Sequence, residues 1–245
     1  MRVRVRYEKL GKIRFTSHRD TARHWERAVR KAGVAVSYSA GFTPRPRMSF
    51  GLALPTGAES IAEFLDIDID ALPDSVTDVD GLCPLFDSTL PPGYSATRVV
   101  EIPSGTVSLQ DGVVACTWHL DVVGLVADEL SDCVASVLAA DTVMLERERK
   151  GQRSVDDIRP AILSLEASQP SNADGSLRAG LVATLATTSR GLRPLELVAA
   201  LLPALDPVDT TARVLRTNQL IDVDGAVREL LPLDAVGARA RTERG

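Results

Sequence analysis

Val3, Val5 and Tyr7 alternate with Arg2, Arg4 and Arg6, and from Ser17 onward the apolar spacing becomes that of a helix. This change of period constrains the fold more than any other feature. A strand and an amphipathic helix each carry one apolar face, and each can cover the other. Ile13 and Phe15 alternate with Lys12 and Arg14, so the strand pattern resumes after a turn or bulge at Lys9-Leu10-Gly11. Ser17 and Asp20 stand at capping-box spacing, which predicts a helix from His18 to Ala32 that stops at Gly33. At about 100° per residue, Ala22, Trp25, Val29 and Ala32 share one arc of about 80°, and Arg19, Arg23, Arg27 and Arg30 share another. The helix should pack one face on a sheet and present a stripe of arginines. The strand should present a second wet, cationic row of Arg2, Arg4 and Arg6.

Further along, Val36–Ser39 reads as a short strand and Gly41–Gly51 as a stiff loop holding Pro44 and Pro46. Leu52–Pro55 can extend a strand. Glu63–Ile69 alternates, Val76–Leu90 is a weak helix ended by Pro91-Pro92-Gly93, and Tyr94–Ile102 is a strand. The order is β-α-β-β-α-β. A linker-like stretch, Pro103–Gly112, follows, and the second half repeats the order: strand Val113–Val123, helix Ala127–Ala139, strands Thr142–Arg149 and Leu177–Thr187, helix Pro194–Leu202, strand Arg213–Ile221. Asp157–Leu165 is an additional piece of open type. The expectation is an α+β chain of two tandem ferredoxin-like halves: a basic domain over residues 1–102, a linker over 103–112, an acidic domain over 113–233, and a disordered polar tail over 234–245.

Charge is distributed unevenly along this order. Of the 28 Lys and Arg in the chain, 13 lie in the first fifty residues against three acids, giving that segment about +10 in a chain of net charge −5. A basic block in an acidic chain reads as a surface for a polyanion, RNA first, with nothing that points to DNA. No apolar run approaches the roughly 18 residues that span a membrane, and no secretory leader pattern is present. Cys83, Cys116 and Cys133 are odd in number and widely spaced, which suits a cytoplasmic chain without a disulfide framework. No phosphate-binding glycine motif and no His or Cys ligand spacing occurs, so neither a metal nor a cofactor is expected.

The candidate RNA-binding residues are Arg2, Arg4, Arg6, Arg19, Arg23, Arg27 and Arg30, with Phe42, Arg45 and Arg47 of the loop. The arginines would follow phosphates and Phe42 would stack on a base. The plainer reading is a solvated helix face and a loop whose Phe42 and Phe50 serve the core. His18 is the one candidate for acid–base chemistry. Capping explains Asp20 without chemistry, and His18 and Asp20 point in different directions. His24 reads as solvated and His119 as structural. Arg147–Arg153 reads as a basic hairpin, either a second polyanion contact, with Arg159 held by Asp156 or Asp157, or an exposed hairpin with weak local ion pairs.

RYEKLGKIRFTSHRD, followed by YSAGFTPRPRMSFGLALPTGAES and EFLDIDI, resembles the bacterial radical SAM-linked proteins. The resemblance covers Met1–Gly93 and continues more weakly through Glu146–Ile162 to the C-terminus. The chain departs from the family pattern at Arg19, where members usually carry Leu, and at Thr43-Pro-Arg-Pro46, where Asn-Pro-His-Pro is common. An imidazole at position 45 is therefore not essential to this chain. The resemblance implies a radical SAM enzyme as partner, whose iron–sulfur cluster this chain does not bind.

Three functions compete. The first is a non-catalytic RNA-binding accessory module serving a radical SAM enzyme or an RNA-processing machine. The second is a metal-independent endoribonuclease of tandem ferredoxin-like type with His18 as base, by fold-level analogy. The third is a protein–protein adaptor that docks an acidic partner.

Overall fold

The computed structural model describes residues 1–103, 105–149, 151–170, 177–188 and 191–231, and the tail expected at 234–245 lies outside them. The chain is α+β and divides into two units, Met1–Val113 with the chain from Ile221 onward, and Val114–Leu220. In chain order the elements are β1 (Arg2–Lys9), α1 (His18–Lys31), β2 (Ala35–Val36), β3 (Met48–Phe50), β4 (Glu59–Ala71), α2 (Leu82–Thr89), β5 (Tyr94–Glu101) and the single turn α3 (Leu109–Gly112). They continue with β6 (Val113–Val123), α4 (Ala127–Ala139), β7 (Met144–Arg149), β8 (Gln152–Asp157), β9 (Ile162–Ser168), β10 (Arg178–Ala186), α5 (Pro194–Leu201), α6 (Pro207–Thr210), β11 (Thr211–Val223) and β12 (Ala226–Glu229).

In the first unit β1 is central, antiparallel to β5 on one side and to β4 on the other, with Val3 opposite Ile67 and Val5 opposite Leu65. β2 and β3 both pair with the far edge of β4. Helix α1 obeys its sequence phase. Trp25 and Val29 are buried with Val5, Tyr7, Ile67 and Phe86 in one core, and the Tyr7 and Trp25 rings meet edge to face at 5.0 Å. Ser17 caps the helix, its hydroxyl accepting from the Asp20 N–H at 3.1 Å, and Gly33 follows the helix end at φ +69°.

The other face of this sheet is not wet. Ala62 and Phe64 of β4 pack with Leu109 of α3 and with Leu231, which returns from the C-terminal segment. The stretch expected to be a linker thus supplies a turn that packs on β4, and the cationic row of β1 lies on the same face as Phe64. Arg4 is 6 % exposed and Arg6 only 2 %. Arg4 grips Asp66 through two hydrogen bonds of 2.7 and 2.9 Å. Arg2, half-buried, reaches Asp66 at 3.3 Å and Asp68 at 3.6 Å. Arg6 donates to the Glu229 carboxylate and, at 2.6 Å, to the Leu231 carbonyl. The expected solvent row of β1 is therefore a buried, paired row, because a buried guanidinium must be matched by a carboxylate and by carbonyls.

Three local expectations also change. Ile13 and Phe15 lie on a 3-10 turn, Gly11–Phe15, and not on a strand. The start of that turn is tied to Gly93, whose carbonyl accepts from the Leu10 N–H at 2.9 Å. Gly93 has φ +93°, and a side chain there would meet Ile13 and the Leu10 carbonyl at 2.8 Å. Leu52–Pro55 forms no strand. Helix α2 occupies only the second half of the stretch Val76–Leu90.

In the second unit the strands lie in the order β11-β6-β10-β9, with β10 antiparallel to both β6 and β9. The position expected for Thr142–Arg149 is held by β9, part of the piece left open. β7 instead pairs with β8 in a separate hairpin. Arg147 of that hairpin is 5 % exposed and binds Glu196 at 2.6 Å and the Gly191 carbonyl at 2.8 Å. Such a pair needs a site that turns inward, which alternation along β7 provides.

Candidate nucleic-acid interface

Helix α1 turns its charged arc outward because the opposite arc is anchored by Trp25 and Val29. Arg19, Arg23, Arg27 and Arg30 are all exposed. Arg23 approaches Asp20 at 3.1 Å in a solvent-exposed pair. Arg19, Arg27 and Arg30 make no ion pair among the described residues. Asp20 itself is held below its ordinary range by the hydrogen bond from Ser17 and by Arg23. Four residues per step along an α-helix advance about 6 Å, so the row is about 16 Å long.

The Gly41–Gly51 stretch is built as a hairpin on the edge of β4. The Arg47 N–H donates to the Ser37 carbonyl at 2.8 Å, the Ser39 N–H to the Arg45 carbonyl at 2.8 Å, and the Arg45 N–H to the Ser39 hydroxyl at 3.0 Å. Tyr38 bridges to Pro46 across it. At its tip Gly41 has φ +145° and Phe42 is fully exposed. Phe50 is half-buried and packs against the core of the first unit. Of the two loop phenylalanines, Phe42 is on the surface and Phe50 serves the core.

Arg45 and Arg47 are exposed. Between them Pro46 faces a groove of about 400 Å³ that runs between this hairpin, the segment Gly33–Val36 and the end of α1. Alternation along the hairpin arm turns Arg45 and Arg47 away from that groove. The groove floor is Val29, Val34, Val36 and Met48. Glu26, Arg30 and Tyr38 stand on its rim. Tyr38 is 53 % exposed. Neither Glu26 nor Tyr38 stood out in the sequence. The signal for Tyr38 was the Pro- and Gly-marked turn that folds it back toward Pro46, and the signal for Glu26 was its spacing of four from Arg30.

Elsewhere on the first unit Phe15 is 63 % exposed and carries the Arg14 guanidinium over its ring at 4.9 Å. His18 is exposed and touches Phe50 edge to face at 5.5 Å, and among the described residues no group is hydrogen-bonded to its ring. His24, expected in solvent, is half-buried 5.6 Å from the Tyr94 ring. His119 donates from Nε2 to the Gln169 carbonyl at 3.2 Å and lies 3.3 Å from the Ser168 hydroxyl, a structural position in the second unit. In the hairpin, Arg153 pairs with Glu146 and Glu148 at 3.5 Å with all three exposed. Arg159 is tied to the Ile162 and Leu138 carbonyls, and the Asp157 carboxylate accepts its backbone N–H. These contacts occupy Arg153 and Arg159 locally; the Arg149 side chain and Lys150 of the expected basic hairpin lie outside the described residues.

Among the described residues no group of three or more His, Cys, Asp and Glu is arranged to hold a metal ion, and no helix is long and apolar enough to cross a membrane. No curated protein matches the chain. Residues 2–194 match a family described as an uncharacterized protein conserved in bacteria, DUF2344. The match spans most of the sequence, and the chain belongs to this bacterial family.

Proposed function

We propose that this chain is a non-catalytic RNA-binding accessory module that acts in the cytoplasm beside a radical SAM enzyme or an RNA-processing machine. One observation carries the reading: a row of four exposed arginines on α1, of which only Arg23 has an acidic partner among the described residues. Cations left in solvent along one helix face suit phosphates, which supply charge without requiring a buried partner. The exposed Phe42 and Tyr38 add aromatic faces on the same unit, as single-strand binders use for bases. Arg4 and Arg6, buried and paired, take no part in binding, and Arg2 contributes only its exposed edge. Arg19, Arg23, Arg27, Arg30, Phe42, Arg45 and Arg47 remain.

We read each unit as ferredoxin-like. In support, the strand orders β5-β1-β4-β2 and β11-β6-β10-β9 both place the fourth strand beside the first and the third between the first and second. The radical SAM partner rests on the motif resemblance alone. The cytoplasmic setting draws support from three cysteines that form no disulfide.

The test is fluorescence anisotropy with a labelled single-stranded oligoribonucleotide at low salt in the presence of a chelator. Binding without cleavage is expected. Absence of binding refutes the proposal and leaves the adaptor. Cleavage that disappears in His18→Ala makes the chain an endoribonuclease.

A further inference from the structure

The groove at the end of α1 has a composition that the arginine row does not explain. Its floor is apolar, yet two opposite charges stand on its rim. Glu26 and Arg30 have the helical spacing of four residues, with the acid N-terminal, that favours an ion pair. Among the described residues no ion pair joins them, and Glu26 has no hydrogen-bond or ion-pair partner. Both side chains border the same opening of about 400 Å³ together with Tyr38, Val34, Pro46 and Met48. That volume lies in the range of small-ligand sites, which are mostly apolar with a few polar groups that orient the ligand.

A carboxylate and a guanidinium held apart over an apolar floor ask for a planar ligand with donors beside an acceptor. The four RNA bases differ on this point. Guanine presents N1–H and the N2 amino group side by side, two donors for the two oxygens of one carboxylate, with O6 and N7 next to them for a guanidinium. Adenine and cytosine each place a ring acceptor beside their amino group, and uracil flanks its one N–H with two carbonyls. Each of these would turn a lone pair toward Glu26. Tyr38 supplies a ring face at the groove rim for stacking. Arg30 is at once the last member of the α1 row and a wall of the groove, so a strand whose phosphates follow Arg19 to Arg27 arrives at the opening.

We infer that this groove is a guanine-selective base site, with Glu26 reading the N1–H and N2 edge, Arg30 the O6 and N7 edge, and Tyr38 stacking on the ring. The inference rests on the RNA-binding reading above, and its test separates the two. Affinities are measured by anisotropy at fixed salt for three octaribonucleotides: all uridine, the same strand with one central guanosine, and the same strand with one central inosine, which lacks the N2 amino group. The guanosine strand should bind about tenfold tighter than the uridine strand, the discrimination expected of a bidentate contact. The inosine strand should lose most of that advantage. Glu26→Gln removes a negative charge beside the arginine row, so it should bind the uridine strand at least as tightly as the wild type does, and it should bind the guanosine strand no better than the uridine strand, since an amide offers one acceptor where the carboxylate offers two. Equal affinity of the wild type for uridine and guanosine strands overturns the base site while leaving RNA binding intact. A preference that survives in Glu26→Gln also overturns it. Failure of every strand to bind removes the RNA reading and the base site together.

Discussion

Arg4 and Arg23 are the same residue type with opposite fates. Arg4 is buried against Asp66, an acid 62 residues away in the chain, whereas Arg23 lies in solvent beside Asp20. Partner and burial, not identity, decide whether an arginine serves stability or a ligand. The same holds for the phenylalanines: Phe64 is a core residue and Phe42 is fully in water. Cys83 gives this scale a measurable handle. Burial first, and then the nearby Asp87 and Asp80 carboxylates, push its thiol up from the ordinary value of 9.0 to about 11. The thiolate is the reactive form, so at pH 9 Cys83 should alkylate far more slowly in the native protein than in urea. The sign of the stability effect follows. Below pH 9 both states keep the proton. Between pH 9 and about 11 the unfolded chain loses it first, so stability falls as pH rises through that window. A urea titration of wild type and Cys83→Ser over this range should show the loss in the wild type and a smaller one in the variant.

Elements were legible to the extent that their own residues determine them. The phase of α1, its Ser17 cap and its Gly33 stop are written in a contiguous run, and the helix follows them. α4 and α5 also follow their sequence patterns, within one residue. The burial of β1 was not legible, because Arg2, Arg4 and Arg6 alternate as a wet row does. Arg6 is met by the Leu231 carbonyl of the C-terminal segment, and what neutralises the row comes from Asp66 and Glu229. No local pattern reports a partner 62 or 223 residues distant. The four residues around Ile13 and Phe15 were too few to separate a strand from a 3-10 turn, and the close approach of Gly93 decided the matter. The type of β9 was open because the β7–β8 hairpin stands before it with the stronger alternation. In the candidate site the exposed arginines of α1 and Phe42 were readable. The groove was not, since Glu26, Tyr38 and Pro46 meet only after the hairpin folds back. The β1–β4 pairing supplies the prediction at this scale. Asp66→Asn leaves the Arg4 guanidinium buried without its countercharge. Breaking a buried ion pair from one side costs about 3–5 kcal/mol, so urea denaturation should show a loss of that order. An unchanged midpoint would mean that Arg4 reaches water.

For the whole molecule, the charge segregation seen in the sequence separates into two parts. Part of the basic block neutralises buried acids of the first unit, and the remainder stays on its surface. The acidic excess of the remaining residues supplies Asp66 and Glu229 as internal partners. It supplies no partner to Arg19, Arg27 or Arg30 among the described residues. The central claim is that these surface cations hold RNA phosphates. Its most direct measurement is the salt dependence of affinity for a single-stranded RNA, in the wild type and in Arg23→Gln/Arg27→Gln. With four to six phosphate contacts, log K against log salt should slope at roughly −3 to −4. The double variant keeps Trp25 and Val29, so it should fold normally, and its slope should be shallower by about one to one and a half. A correctly folded double variant that binds with the wild-type slope would contradict the account.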